Sequence, residues 1–206
     1  MNKKIKRKKF NISLLGESEV GKTRITNAYL GKEIEEVNLT TIGIDNYMDT
    51  AQFEGNEYKF KIYDTAGQER YRSISKSTIK ITDGFLLVFS VGNRESFNLI
   101  NYWFDSIKEV VDIRKKVIFL VGNKIDLTER EVSNEEAMNF SKMKNVKYFE
   151  TSAKTNCGIK EVFQQLYKDI FDLYKANKET NEKENDNIRI DKKNKNDNKT
   201  EKKSRC

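Results

Sequence analysis

The sequence predicts an α/β fold: a mostly parallel, six-stranded sheet with one antiparallel edge strand and helices on both faces. Five short apolar runs alternate along the chain with stretches whose apolar residues recur at helical spacing. This order is typical of a parallel sheet covered by helices. A sixth run, residues 44–53, alternates apolar and polar side chains as an edge strand does. With 206 residues, the chain is long enough for one such domain and a tail.

Strands and helices are expected in strict alternation after the first hairpin. The buried strands are predicted at Phe10–Leu15, Phe60–Asp64, Gly84–Val91, Val117–Val121 and Val146–Phe149. The helices are predicted at Lys22–Leu30, Ser73–Ile81, Glu95–Val111, Ser133–Met143 and Ile159–Ala176. Residues 54–56 are expected to form the hairpin turn that connects the edge strand, Ile44–Phe53, to the strand that follows it. Ser133, with Glu136 three residues later, predicts a capping-box start for the fourth helix.

Basic charge is concentrated at the two ends of the chain. Residues 1–9 contain six basic side chains and no acid, and residues 177–206 contain ten basic and seven acidic ones. The stretch from 177 has almost no apolar residues, so it cannot bury enough surface to offset its chain entropy. We therefore predict a basic N-terminal extension (1–8), one folded domain (9–176) and a disordered polar tail (177–206) that ends in Cys206.

Several absences exclude classes of function. The sequence contains no histidine, which excludes Ser-His and Cys-His catalysis and histidine-bound metals. Cys157 and Cys206 are too few for a zinc site or a disulfide framework, and they fit a reducing cytosolic compartment. No apolar run is long enough to cross a bilayer, and none follows the basic N-terminus as in a secretory signal. The sequence contains no helix-turn-helix, zinc-finger or RNA-binding pattern, so nucleic acid is not an expected partner.

The segment Gly16–Thr23 matches the phosphate-binding P-loop pattern. It follows the first strand and opens the first helix, where backbone N–H groups and the helix N-terminus favour phosphate; an ordinary glycine turn is the alternative. Lys22 is expected on the β- and γ-phosphates and the Thr23 hydroxyl on Mg²⁺. The residues predicted to bind the nucleotide here are Gly16, Glu19, Val20, Gly21, Lys22 and Thr23.

The segment Asp64–Glu69 ends the third strand. An aspartate at that place can hold Mg²⁺ through water, and the N–H of Gly67 can meet a γ-phosphate. Strand-end aspartates and turn glycines are common, so the prediction depends on the P-loop that precedes them. Read together, the two segments predict a site for a nucleotide with its Mg²⁺ ion, a P-loop NTPase fold.

Two further loops predict that the base is guanine. In Asn123–Asp126, a carboxylate can accept hydrogen bonds from the ring N1–H and the 2-amino group of guanine, a pair that adenine does not offer. The lysine stem can lie along the plane of the base. Thr151–Lys154 follows the last strand, and a backbone N–H there can donate to the guanine O6. The residues predicted to contact the base are Asn123, Lys124, Asp126, Ser152, Ala153 and Lys154.

In this order, the four loops resemble those of the Ras-superfamily small GTPases, most closely the Rab branch, over about residues 8–175. The Rab likeness rests on Thr41–Asp45, on Tyr63–Tyr71 and on Ser18 in the P-loop. The resemblance implies that Thr41 binds Mg²⁺ and senses the γ-phosphate, and that Gln68 orients the attacking water. The implied catalytic residues are Gln68, Lys22 and Thr41, and the implied Mg²⁺ ligands are Thr23, Thr41 and Asp64.

The resemblance also implies partners and a place in the cell. Switch segments of about 34–48 and 66–80 would order around GTP and loosen on hydrolysis, so an exchange factor, a GTPase-activating protein and effectors would bind there. Cys206 and the basic tail imply prenylation, a prenyl-binding escort and a cytoplasmic membrane surface. The implied role is regulation of vesicle traffic from the cytoplasmic face of an endomembrane or the plasma membrane.

The sequence departs from the family pattern at several positions. Glu19 stands where the P-loop has glycine or a small residue, and Ile34 stands where the family has an aromatic residue edge-on to guanine. Asn46 and residues 78–80 depart from the Rab switch motifs. Two other functions remain open at this point: a scaffold that binds GTP but barely hydrolyses it, against which Gln68 argues, and a P-loop ATPase or kinase, against which the guanine loop argues.

Overall fold

The computed structural model describes residues 8–32, 44–65 and 75–180. The chain divides into two compact units, residues 1–170 and 171–206. In the first unit the strands are β1 (Lys9–Leu15), β2 (Ile44–Phe53), β3 (Asn56–Thr65), β4 (Gly84–Ser90), β5 (Val117–Asn123) and β6 (Lys147–Glu150). Its helices are α1 (Lys22–Tyr29), α2 (Ser75–Ile81), α3 (Arg94–Asn98), α4 (Ile100–Val110), α5 (Asn134–Lys144) and α6 (159–170). Within the second unit, residues 171–180 are helical.

The six strands form one sheet in the order β2-β3-β1-β4-β5-β6. Only β2 runs antiparallel to its neighbour, β3, and every other neighbouring pair is parallel. This arrangement confirms the predicted fold class, including the antiparallel edge strand. Within the described residues, no helix is both long enough and apolar enough to cross a membrane.

The turn between β2 and β3 is shorter than the sequence suggests. Asn56 already belongs to β3, where it lies opposite Phe53, so only Glu54 and Gly55 form the turn. Both have positive φ, 49° and 74°, as a two-residue hairpin turn requires. Two strands of ten residues each therefore form a hairpin, with β2 at the edge of the sheet and β3 between β2 and β1.

Apolar side chains cover both faces of the sheet. One face carries alternate residues of β4 and β5, such as Phe85, Leu87 and Leu120, and packs against α2, α3, α4 and α5. On the other face, Tyr29 of α1 stacks on Phe163 of α6 with ring centroids 3.9 Å apart. Helices therefore cover both faces, and the loops at the strand ends are left to build a site.

Three helices differ in detail from the prediction. The expected helix Glu95–Val111 is two helices separated by Leu99, and the first of them begins where the Asn93 side chain accepts a hydrogen bond from the Ser96 N–H at 2.8 Å. Ser133 caps α5 as predicted, but the Glu136 carboxylate pairs with Arg94 of α3. Helical residues also continue to 180, beyond the expected end at 176, because the tail begins with residues that tolerate a helix.

Candidate functional site

The predicted site residues meet at one edge of the sheet. β1, β3, β5 and β6 are parallel to one another, so their carboxyl ends point the same way. The P-loop follows β1, Asp64 lies next to the end of β3, Asn123 ends β5, and Thr151 follows β6. Ligands of open α/β sheets bind beyond such strand ends.

Two glycines allow the P-loop to lie close to its neighbours. A Cβ on Gly16, where φ is +147°, would lie 2.1 Å from the carbonyl oxygen of Val88. At Gly21, where φ is +97°, it would lie 2.5 Å from the Nδ2 of Asn123. Gly21 is also the N-cap of α1, so the chain enters the helix in a left-handed conformation that glycine adopts without strain.

Lys22 is buried at the start of α1, with 5% of its surface exposed. Its Nζ donates to the carbonyl oxygens of Gly16 at 3.0 Å and Glu17 at 2.8 Å. Burial lowers the pKa of Lys22 to about 8, while the charges of Asp64 and Glu17 act in the opposite direction. A buried ammonium held on two carbonyls inside the loop is placed to meet a phosphate.

The other P-loop residues differ in their exposure. The Val20 side chain is buried, Thr23 is half-buried in the first turn of α1, and Glu19 is exposed. Glu19 has φ +62°, a left-handed conformation that costs a residue with a Cβ about 1–2 kcal/mol. The glutamate therefore brings both strain and negative charge to a loop expected to hold phosphates.

The oxygen donors next to Lys22 suit Mg²⁺. Asp64 is completely buried near the end of β3, and its charge acts on Lys22. Thr23 supplies a hydroxyl beside Lys22 in the chain. Mg²⁺ prefers oxygen ligands and is bound through one or two carboxylates plus substrate phosphates, so this donor set fits the ion. Among the residues described, no three His, Cys, Asp or Glu side chains form a cage of their own.

The side chain of Asn123 connects the phosphate loop to the base loops. It is 1% exposed, and its Nδ2 donates to the carbonyl oxygen of Val20 at 2.8 Å. Its Oδ1 accepts from the Thr151 hydroxyl at 3.1 Å and the Ala153 N–H at 3.3 Å. The amide therefore places three loops relative to one another.

The carboxylate of Asp126 is held in place by the neighbouring loop. Its Oδ1 accepts a hydrogen bond from the Ser152 hydroxyl at 2.6 Å, and that hydroxyl oxygen accepts from the Thr155 N–H at 3.1 Å. Asp126 is exposed, as its role toward a base would require. Lys124 has φ +67° and is half-buried, and Lys154 is exposed.

Part of the predicted site lies outside the described residues. These positions are Ile34, Thr41, Gly67 and Gln68, together with most of both switch segments and Cys206. The structure also adds three residues that the sequence did not single out for the site, namely Glu17, Trp103 and Thr151. Only Thr151 and Glu17 stand within the motifs, and nothing in the sequence pairs Trp103 with the P-loop.

Comparisons with known proteins agree with this geometry. The chain matches the model of the Ras family over residues 11–172. It is 35% identical over 159 residues to Ras-related protein Rab-18 of Lymnaea stagnalis, covering 77% of this chain and 79% of that protein. It is 35% identical over 162 residues to Ras-related protein Rab-13 of Canis lupus familiaris, covering 78% and 79%. With GTP-binding protein Rab-3D of Rattus norvegicus it shares 38% identity over 164 residues, covering 79% and 74%.

Proposed function

The chain belongs to the Ras family and is a Rab-like small GTPase, and from this premise we propose that it binds Mg²⁺-GTP or Mg²⁺-GDP at the edge of the sheet described above and regulates vesicle traffic. The observation that carries the proposal is the buried Asn123 amide, which joins the phosphate loop to both base loops. Such a connection gives one ligand contacts at its phosphates and at its base.

Each described residue then has a distinct part. The P-loop backbone and Lys22 bind the phosphates, with Lys22 held ready by two carbonyl oxygens. Asp126, oriented by Ser152, accepts from the guanine base. Thr23 and Asp64, together with Thr41 from outside the described residues, would hold Mg²⁺, which when bound would neutralise charge on the phosphate oxygens.

Hydrolysis needs no covalent intermediate on the protein. Gln68 orients the attacking water, and Lys22 stabilises the charge that develops on the phosphate oxygens. The sequence places no arginine to act on the transition state from within, so the intrinsic rate is slow. An activating protein that supplies an arginine raises such rates by about 10³–10⁵.

The switch segments at about 34–48 and 66–80 are proposed to carry the partners. An exchange factor, an activating protein and effectors would read their two nucleotide-dependent states. Cys206 and the basic tail would attach the protein, through a prenyl group handled by an escort, to the cytoplasmic face of an endomembrane or of the plasma membrane.

Nucleotide loading and single-turnover hydrolysis test the proposal together. The parent chain should bind GTP only weakly after chelation of Mg²⁺ and should convert bound GTP to GDP slowly. Gln68→Leu should bind GTP as the parent does and hydrolyse it much more slowly. Equal hydrolysis rates in the two proteins would contradict the role proposed for Gln68. Absence of GTP binding would contradict the proposed switch function.

A further inference from the structure

One hydrogen bond connects the P-loop to a helix outside the nucleotide site. The indole Nε1 of Trp103 in α4 donates to the Oε1 of Glu17 at 3.2 Å. The two residues lie 86 positions apart in the sequence. Trp103 is 4% exposed and belongs to the core between the sheet and the helices, so its ring is fixed by packing.

Glu17 is held at both its side chain and its backbone. Its carboxylate accepts from Trp103, and its carbonyl oxygen accepts from the Lys22 ammonium at 2.8 Å. The neighbouring carbonyl of Gly16 accepts from the same ammonium. The indole therefore acts on the stretch of backbone that positions the lysine expected to meet the phosphates.

The direction of the Glu17 carboxylate has an electrostatic consequence. It is a second negative charge in the loop, beside Glu19, and charges near phosphates interact strongly where the dielectric is reduced. The contact with α4 keeps the carboxylate on a neutral donor. Loss of this contact would loosen the loop at Glu17, whose backbone carbonyl oxygen accepts from the Lys22 ammonium.

We propose that Trp103 is a positioning residue for nucleotide binding, which acts through its hydrogen bond to Glu17 and keeps the P-loop and Lys22 in their binding arrangement. This inference rests on the proposed function. It also connects the P-loop to α2, because Ile79 of α2 lies in the same buried cluster as Trp103. Residues 66–74, which precede α2, contain Gln68.

The first test is stopped-flow release of a fluorescent GDP analogue from full-length variants. Glu17→Ala and Trp103→Phe should each release the analogue at least about tenfold faster, since each removes a hydrogen bond to a charged group. The double variant should be no faster than either single one, because both remove the same contact. Glu17→Gln keeps an acceptor oxygen and should stay within about twofold of the parent.

Phe104→Leu is the matched control for packing. Phe104 lies next to Trp103 in α4 and is 6% exposed in the same core cluster. This variant should lower thermal stability and leave the release rate unchanged. A release rate raised as much as in Trp103→Phe would show that loss of core packing, and not the hydrogen bond, governs release.

The second test uses the fluorescence of Trp103, which is the only tryptophan in the chain. Its emission should change when the parent loses its nucleotide, and this change should be largely absent in Glu17→Ala. This measurement stands even if Trp103→Phe fails to fold. Equal emission changes in both proteins, or release effects that multiply in the double variant, would overturn the positioning role. A parent chain that binds no guanine nucleotide would instead overturn the proposed function itself.

Discussion

The Nδ2 of Asn123 donates to the carbonyl oxygen of Val20 at 2.8 Å, across 103 residues of sequence. The bond is buried, and the same side chain accepts from the loop that follows β6. The phosphate side and the base side of the site are therefore not independent. A change at this amide should affect the binding of the whole nucleotide.

Asn123→Asp tests this connection with almost no change in size. It places a carboxylate oxygen, which cannot donate, against the Val20 carbonyl oxygen. A buried carboxylate left without a donor costs about 1–3 kcal/mol or more. We expect a lower melting temperature and GDP release at least tenfold faster. The matched control is Asn139→Asp, the same substitution at an exposed position of α5. If the two variants release GDP at the same rate, the amide does not hold the loops together.

Glu19 should make the nucleotide leave faster than is usual in the family. Its left-handed φ of +62° and its charge both act against a phosphate loop. Ile34, at the position where the resemblance implies an aromatic contact with the base, would offer less flat contact than an aromatic ring. The Ile34→Phe, Glu19→Gly double variant should release a fluorescent GDP analogue more slowly than the parent, by about tenfold.

One single variant separates strain from charge at Glu19, and a second, at another position, serves as its control. Glu19→Gln removes the charge but keeps the left-handed backbone, so it should slow GDP release by only part of the amount seen in the double variant. Glu54→Gly is the matched control, because Glu54 also has positive φ, 49°, but lies in the hairpin away from the site. It should raise stability without slowing release. Release from the double variant as fast as from the parent would contradict the account.

The pKa of Lys22 predicts how nucleotide affinity depends on pH. Burial lowers this pKa to about 8 in the site without nucleotide, whereas bound phosphates favour the ammonium and raise it. Above pH 8 the free protein loses a proton that binding must restore, so affinity falls as pH rises. A pKa near 8 gives a loss of about fourfold between pH 7 and 8.5, measured by titration with GDP.

Lys22→Arg is the control for this titration. A guanidinium stays charged throughout the range, so the weaker binding of the variant should not change with pH. A parent affinity that is flat from pH 7 to 8.5 would mean that Lys22 keeps its ordinary pKa in the free protein.

Cys206 should carry a prenyl group in the native cell. If the 26 residues beyond 180 form the coil that their polar composition predicts, they would span about 30 Å, enough to hold the switch surface clear of the lipid. One lipid chain binds weakly, so the basic tail would supply the second signal at about 1 kcal/mol per cation near anionic lipid. Attachment should therefore be reversible.

Intact-mass analysis of the protein from its native cell measures this directly. Cys206→Ser should lose the added mass and the membrane fraction, whereas Cys157→Ser, a change at the exposed cysteine of the folded unit, should lose neither. If Cys206 is unmodified, and Cys206→Ser divides between membrane and soluble fractions as the parent does, the proposed membrane attachment is wrong.

The fold was predictable because apolar periodicity and strand order determine it. The alternation in Ile44–Phe53 predicted the edge strand with its ends as observed. The break at Leu99 was not predictable, since the apolar spacing continues through it and the start of α3 depends on the Asn93 cap. Likewise, the pattern of Ser133 and Glu136 suggested a reciprocal cap, but Arg94, distant in sequence, attracts the Glu136 carboxylate.

The site was predictable only where a single loop contains all the residues that form its contacts. The P-loop pattern places Gly16 and Lys22 through local backbone geometry. Contacts between loops depend on tertiary packing, so the sequence did not reveal that Asn123 reaches Val20 or that Trp103 reaches Glu17. The roles of Thr41 and Gln68 stay predictions, because both lie outside the described residues.

Guanine recognition is tested most directly by competition between GDP and ADP for the Mg²⁺-loaded parent and for Asp126→Asn, with Asp105→Asn, a change at an exposed aspartate of α4, as control. The account predicts that ADP binds at least about a thousandfold more weakly than GDP to the parent. It predicts that Asp126→Asn loses at least about tenfold in GDP affinity and gains in affinity for xanthosine diphosphate, while the control binds as the parent does. ADP binding as tight as GDP binding, or unchanged GDP affinity in Asp126→Asn, would contradict it.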